Sequence, residues 1–244
     1  MRILLTGRTG QVGWELERRL LPLGQLVAFD RVSLDLASPD QIVARVREVR
    51  PDLIVNAAAY TAVDRAETEP RLAAQVNATA PRILAEEASR LGAALIHYST
   101  DYVFDGTKST PYIESDSPNP LNAYGKSKLE GERSIQASGC RHLILRTSWV
   151  YGLRGTNFLV TILRLARERP ELRVVDDQIG APTWCRDVAG ATAEDMRATF
   201  NMGLGMVLVV PADRAPRALE RARALGADAF EVGRVDPGAG VRFD

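Results

Sequence analysis

Two cysteines are all the chain has among its 244 residues, and it has only two histidines. Cys140 and Cys185 share no short spacing, which excludes a disulfide framework and the usual zinc motifs, so no metal site is expected and both read as small apolar residues. Charge of one sign is missing as well. Lys plus Arg is 31 and Asp plus Glu is 31, so there is no basic surplus to hold nucleic-acid phosphates. No apolar run approaches the roughly 20 residues that a membrane span needs. Arg2–Leu5 runs straight into Thr6-Gly7, which predicts no signal peptide and a cytoplasmic protein.

What is present alternates short apolar runs with helical patterns. Strands are predicted at Arg2–Thr6, Leu26–Phe29, Leu53–Ala57, Ala94–Ser99, Leu143–Arg146 and Leu172–Val175. Helices are predicted at Gln11–Leu21, Pro39–Arg50, Glu69–Leu91, Tyr124–Ala137 and Phe158–Glu168. Ser38 stands as an N-cap before Pro39, and Gly92 ends the long helix. This alternation implies an α/β fold with a doubly wound parallel sheet of the Rossmann kind. The irregular stretch Asp105–Asn122 has the length of a binding loop.

Gly7, Gly10 and Gly13 fall between the first strand and the first helix, in Thr6-Gly7-Arg8-Thr9-Gly10-Gln11-Val12-Gly13. Glycines there let the backbone turn and approach a pyrophosphate, and the helix offers free N–H groups at its start. The spacing is looser than the Rossmann fingerprint; its position after the N-terminal strand is what points to a dinucleotide. Asp30 ends the second strand, where a carboxylate can bond ribose hydroxyls or simply hold a turn. Arg31 follows and could pair with a 2′-phosphate, so NADH and NADPH both remain open.

Tyr124 and Lys128 stand at i and i+4, on one face of a helix. An ammonium about 4 Å from a phenol would favour the phenolate by roughly 4 kcal/mol, about three pKa units. Such a pair can give a proton to a carbonyl oxygen. Ser99-Thr100 ends the fourth strand, at the edge where open α/β sheets bind ligands. His97 reads as a satisfied buried residue and His142 as a surface one.

Residues 1 to about 190 resemble the extended short-chain dehydrogenases/reductases, and within them the dTDP-4-dehydrorhamnose reductases. The resemblance is carried by GRTGQVGWE (7–15), VNAAAYTAVD (55–64), HYSTDYVFDG (97–106), PLNAYGKSKLE (120–130), RTSWVY (146–151) and DDQIGAPT (176–183). It implies NADPH or NADH as cofactor and a nucleotide-sugar substrate, whose C4 keto group would be reduced to give dTDP-L-rhamnose. Gly10, Gln11 and Val12 would bind the pyrophosphate. Asp30, Asp35 and Leu36 would lie around the adenosine, and Ala59, Tyr60, Thr61 and Tyr98 would line the groove. Tyr124 would donate the proton, Lys128 would hold the nicotinamide ribose, and Thr100 would bond the C4 carbonyl with Asp101 nearby. Trp149 would pack on the sugar nucleotide, although an aromatic there also suits a core and Asp101 also suits a turn.

The resemblance stops near Val188, with no Arg-Pro-containing stretch after it, which implies a missing substrate lid and weakened turnover. Residues 197–244 resemble instead the C-terminal part of phosphoribosylformylglycinamidine cyclo-ligase, through Thr199–Pro211, a helix over Ala215–Gly226 and a strand over Ala229–Val235. Two domains are therefore expected, a dinucleotide-binding domain over 1–190 and a short β-α-β appendage over 197–244, joined as a chimera. No purine chemistry is expected of the appendage. A homo-oligomer is compatible with the reductase family. A second function is also compatible with the residues, that of a non-catalytic NADP-binding regulatory subunit like the β subunit of methionine adenosyltransferase.

Overall fold

Strand residues of alternating direction set the architecture. Ile3 and Leu5 project to one face of the sheet and pack with Val55, whereas Leu4 projects to the other and packs with Ile54 and Leu95. A strand buried on both faces reads as a continuous apolar run, which is why the first one does. The computed structural model describes residues 1–169, 171–174 and 178–190, together with residues 216, 217, 220 and 223. By its contacts the chain divides into two units, Met1–Gly205 and Met206–Asp244.

The strands β1 (Arg2–Thr6), β2 (Gln25–Phe29), β3 (Leu53–Asn56), β4 (Ala94–Thr100) and β5 (Arg141–Thr147) form one parallel sheet in the order β2-β1-β3-β4-β5. The order reverses between β1 and β3, which opens a crevice beyond their C-terminal ends. Helix α1 (Gln11–Leu20) covers one face with Leu16 and Leu20, joined by Ala189 of α8 (Cys185–Gly190). Helices α2 (Pro39–Val49), α5 (Ala80–Leu91) and α6 (Ala123–Ala137) cover the other with Ile42, Val46, Ile83, Leu84 and Ile135. Each such side chain contributes about 1.5–3 kcal/mol when fully buried.

Helix ends follow local chemistry. Pro39 occupies the first position of α2, but the Ser38 hydroxyl at its N-cap makes no capping bond. Arg50, at φ 49°, closes α2 through its N–H to the Val46 carbonyl. Gly92 closes α5 in the left-handed region that glycine enters without strain. The long helix predicted from Glu69 is interrupted. Helices α3 (Val63–Thr68) and α4 (Pro70–Ala74) precede a π-helical turn at Gln75–Thr79 that leads into α5. A Cβ at Gly131 of α6 would strike the Asn77 carbonyl, so the wider turn lies where the two helix backbones come closest.

Among the described residues of the expected sixth strand at Leu172–Val175, no strand forms. Residues 171–174 are irregular, and Val175 lies outside the described residues. Arg173 and Val174 are exposed and Leu172 is only partly buried, so the stretch lacks the cover a strand face needs. A short two-stranded sheet stands instead, made of β6 (Val150–Tyr151) and β7 (Thr183–Trp184), with α7 (Phe158–Glu168) between them in sequence. The appendage expected over 197–244 lies outside the described residues except for four. Those four, 216, 217, 220 and 223, are helical. Among the described residues no helix is long and apolar enough to cross a membrane.

Candidate active site

The glycine loop turns where β1 ends. Gly7 has φ +74°, and a Cβ on it would lie 2.8 Å from the Ala58 nitrogen. The loop closes on itself through the Gly10 N–H to the Gly7 carbonyl at 2.9 Å. Gly10 is the N-cap of α1 and brings no side chain, so the first N–H groups of the helix face outward. Gly13 has a different task from the expected one. A Cβ there would strike the Gly7 carbonyl, so Gly13 lets the helix pack on the loop, and it is not on the wall of the cleft.

That cleft has a volume of about 670 Å³ and runs along the C-terminal edge of the sheet. Gly7, Gly10, Gln11 and Val12 form its middle, and Asp30, Arg31, Asp35 and Leu36 line it as well. Ala59, Tyr60, Thr61 and Tyr98 continue the wall, and Thr100, Asp101, Tyr124, Lys128 and Trp149 complete it. The residues singled out in the sequence therefore share one cavity, Gly13 excepted.

Asp30 serves a turn while facing the cleft. Its Oδ1 accepts from the Val32 N–H at 3.0 Å, the Ser33 N–H at 2.8 Å and the Ser33 hydroxyl at 2.7 Å. These bonds hold its pKa below the usual carboxylate value, those from Ser33 most of all. Gln11 ties the loop to a neighbouring segment, since its Oε1 accepts from Asn157 Nδ2 at 2.8 Å and Asn157 in turn caps α7.

Helix α6 carries the pair Tyr124 and Lys128. The Asn122 side chain caps it by accepting from the Gly125 N–H at 2.7 Å, and the Ala123 N–H donates to Glu67 at 2.7 Å. Tyr124 is buried, its ring edge-on to Tyr102 at 5.7 Å. Burial pushes its phenol up to about 12, with Asp101 and Tyr102 adding to the rise and the Thr100 hydroxyl opposing it. The expected acidification of Tyr124 by Lys128 is thus not what this geometry gives. The Lys128 amine turns to the sheet, donating to the Tyr98 carbonyl at 2.6 Å beside His97 Nε2 at 3.2 Å. Its own pKa falls to about 8 because it is desolvated.

Thr100 donates to Asp101 Oδ1 at 3.1 Å and accepts from the Tyr102 N–H at 3.2 Å. Burial raises the Asp101 carboxyl. Trp149 is 46 % exposed and so is not a core residue. It adopts φ 46°, a conformation rare for a bulky residue, with its ring seated against Gly180. The stretch Asp105–Asn122 stays off the cleft wall. Asp105 gathers it by accepting from Asn119, from the Thr107 N–H and hydroxyl, and from Tyr112, whose ring stacks on Phe104 at 4.1 Å.

Other polar groups behind the site escaped the sequence reading. Asn77 accepts from the Tyr60 N–H and donates to the Tyr60 carbonyl and the Ser127 hydroxyl. Glu132 is buried, takes two bonds from Arg146 at 2.7 and 3.0 Å, and accepts from Ser99. A buried Glu four residues after Lys128 was the available signal, because such a group needs a partner. His97 is fully buried and His142 exposed, as expected. Among the described residues no three His, Cys, Asp or Glu side chains gather where they could hold a metal ion.

The parallel sheet, its switch point and the glycine loop at the crevice define a doubly wound α/β protein of the dinucleotide-binding type. The RmlD substrate binding domain family matches residues 1–205, past Val188 where the sequence resemblance is read as stopping. The chain belongs to that family. It is similar to the dTDP-4-dehydrorhamnose reductase of Escherichia coli (strain K12), 53 % identical in a match of length 205 that covers 82 % of this chain and 69 % of that protein. Among solved structures it is similar to the dTDP-4-dehydrorhamnose reductase of Bacillus anthracis str. Ames in complex with NADP, with 42 % identity, a TM-score of 0.74 and coverage of 77 % of this chain and 68 % of that one. The ortholog from Clostridium acetobutylicum ATCC 824 has 39 % identity, a TM-score of 0.75 and coverage of 83 % and 70 %.

Proposed function

We propose that this chain is an NAD(P)H-dependent reductase of the C4 keto group of dTDP-4-dehydrorhamnose, giving dTDP-L-rhamnose. One observation carries the reading: Thr100, Tyr124 and Lys128 line the same cleft as the glycine loop. The names of the relatives support the substrate, and the NADP in the Bacillus anthracis structure supports the cofactor.

The cleft fits a dinucleotide. Gly7 and Gly10 leave the backbone bare where a pyrophosphate would lie, and Gln11 and Val12 place the free N–H groups of α1 beside it. Asp30, Asp35 and Leu36 would flank the adenosine, and Ala59, Tyr60, Thr61 and Tyr98 the groove toward the nicotinamide. Arg31, next to Asp30 on the cleft wall, suits a 2′-phosphate, so NADPH and NADH are both taken. Gly13 keeps α1 against the loop.

The dinucleotide supplies the hydride. Thr100 and Tyr124 hold the C4 carbonyl oxygen with their hydroxyls. The raised pKa of Tyr124 keeps the phenol protonated at neutral pH, which is the form that reduction requires. Tyr124 then passes its proton to the C4 oxygen. Lys128, whose amine is anchored on the Tyr98 carbonyl, holds the ribose edge of the site. Asp101 and Trp149 contact the sugar nucleotide.

The same reading assigns residues 1–190 to the dinucleotide-binding domain and 197–244 to a separate appendage, places the protein in the cytoplasm and allows self-association. Titrating NADPH while following Trp fluorescence should give a saturable change. Loss of NADPH absorbance should follow the addition of dTDP-4-dehydrorhamnose, in proportion to the amount of protein. Saturable binding with no substrate-dependent oxidation at any protein concentration would overturn the reductase reading.

A further inference from the structure

Beneath the cleft, from Thr6 to Lys128 on its wall, four side chains on neighbouring elements join end to end. Thr6 Oγ1 donates to Asn56 Oδ1 at 2.6 Å, Asn56 Nδ2 meets His97 Nδ1 at 3.0 Å, and His97 Nε2 lies 3.2 Å from Lys128 Nζ. All four are buried, His97 completely. The chain of contacts follows the sheet register, in which Thr6 pairs with Asn56 and Asn56 with His97. Thr6 is the residue before Gly7, so the row starts at the glycine loop and ends at the amine of α6.

We propose that His97 is a positioning residue that sets both the place of the Lys128 amine and the number of protons it carries, in step with Asn56 and Thr6. This deepens the reductase reading and rests on it. A neutral imidazole has one N–H. With an Asn56 N–H directed at Nδ1, the proton sits on Nε2 and points at Lys128, which must then accept it as a neutral amine. A charged Lys128 has no lone pair. It needs Nε2 bare, the proton on Nδ1, the Asn56 amide turned over, and Thr6 accepting where it had donated. A hydroxyl and an amide can both reverse in this way. The proton on Lys128 is therefore linked to the strand that carries the glycine loop.

The groups that face Lys128 are few. From β4 come His97 and the Tyr98 carbonyl; on its own helix stand Tyr124 and Glu132; and Glu132 is held by Arg146 of β5 and by Ser99. Burial lowers the amine to about 8, with Glu132 opposing, and holds the imidazole well below its usual value. A histidine that merely fills space would be satisfied by the same neighbours, but its tautomer would not follow the lysine.

Nitrogen NMR of ¹⁵N-histidine-labelled full-length chain tests this without any turnover. Between about pH 6 and pH 10, the His97 nitrogens should change tautomer in one step, centred where Lys128 titrates, and the step should vanish in Lys128→Met. Kinetics supply the second arm. His97→Asn keeps a group at the place of Nδ1 but not at Nε2, whereas His97→Gln reaches the place of Nε2. His97→Asn should lose on the order of tenfold in kcat and shift the alkaline limb of the pH profile, with KM for NADPH held within about threefold. His97→Gln should recover most of the rate. An imidazole that does not titrate with Lys128, or two variants equally slow with an unmoved pH profile, would overturn the proposal. If the unsubstituted chain reduces nothing, the reductase reading fails and the imidazole titration alone decides the linkage.

Discussion

The Lys128 amine donates to the Tyr98 carbonyl at 2.6 Å, so the cation that the Tyr-x-x-x-Lys spacing aims at Tyr124 is anchored to the sheet. Its folded pKa of about 8 lies below its ordinary 10.5. Between those values the unfolded chain holds more protons than the folded one, so stability rises with pH. The gain amounts to about 3 kcal/mol when the whole window is crossed. Above about pH 10 the tyrosines reverse the trend, because the raised pKa of Tyr124 makes the folded state keep a proton that the unfolded chain releases. The thermal midpoint should climb from pH 8 to pH 10, and Lys128→Met should flatten the climb; a climb unchanged in Lys128→Met would show that the amine is already solvated in the folded protein.

Tyr124→Phe keeps the ring that packs edge-on to Tyr102 and removes only the hydroxyl beside Thr100. The fold should survive with its circular dichroism unchanged. Loss of the proton donor should cut kcat by about 10²–10⁴-fold. NADPH affinity should stay within about threefold of the unsubstituted chain, as for a group acting only in the chemical step. Stopped-flow absorbance and a fluorescence titration separate the two effects, and a residual rate above a tenth would move the proton donation elsewhere.

The sheet and most helices were legible because their signals are local. The continuous apolar run of β1, Pro39 at the start of α2 and Gly92 past the end of α5 act within a few residues, and each stands as read. The strand expected over Leu172–Val175 is absent from its described residues because a short run becomes a strand only if a neighbour covers it, and Val174 is 52 % exposed. The π-helical turn at Gln75–Thr79 answers a close approach by Gly131, more than fifty residues away in sequence. The cleft residues were legible as motifs, but the direction of the Lys128 amine was not. It depends on His97 and the Tyr98 carbonyl, which a helical spacing does not contain. The double use of Asp30, holding a turn while facing the cleft, follows from Ser33, whose position the sequence shows but whose bond it does not.

Glu132 is 1 % exposed and bonds Arg146 through both carboxylate oxygens. Glu132→Gln keeps the shape and removes the charge, leaving the guanidinium poorly matched beside Phe104. Breaking a buried pair costs about 3 kcal/mol, which in a chain of this size lowers Tm by about 6–12 °C. The same change removes the charge that supports protonated Lys128, so the alkaline limb of the rate profile should move to lower pH. Calorimetry and the pH profile together check it; a lower Tm with an unmoved limb would place Glu132 outside the electrostatics of the site.

Gly180 gives the Trp149 ring its seat, since a Cβ on Gly180 would come within 2.5 Å of Trp149 Cε2. Gly180→Ala should therefore displace the ring from the cleft without touching the glycine loop. If Trp149 packs on the sugar nucleotide, KM for dTDP-4-dehydrorhamnose should rise on the order of tenfold while KM for NADPH holds, the loss of about 1.4 kcal/mol of substrate contact. Trp149→Ala should show the same pattern with a larger rise, because it removes the ring outright. Trp149 holds φ 46° at a cost that glycine would not incur, so Trp149→Gly should lose the substrate contact yet melt no lower than Trp149→Ala. KM values for dTDP-4-dehydrorhamnose unchanged from the unsubstituted chain in all three variants would mean that the ring, though it lines the cleft, bears on nothing that binds there.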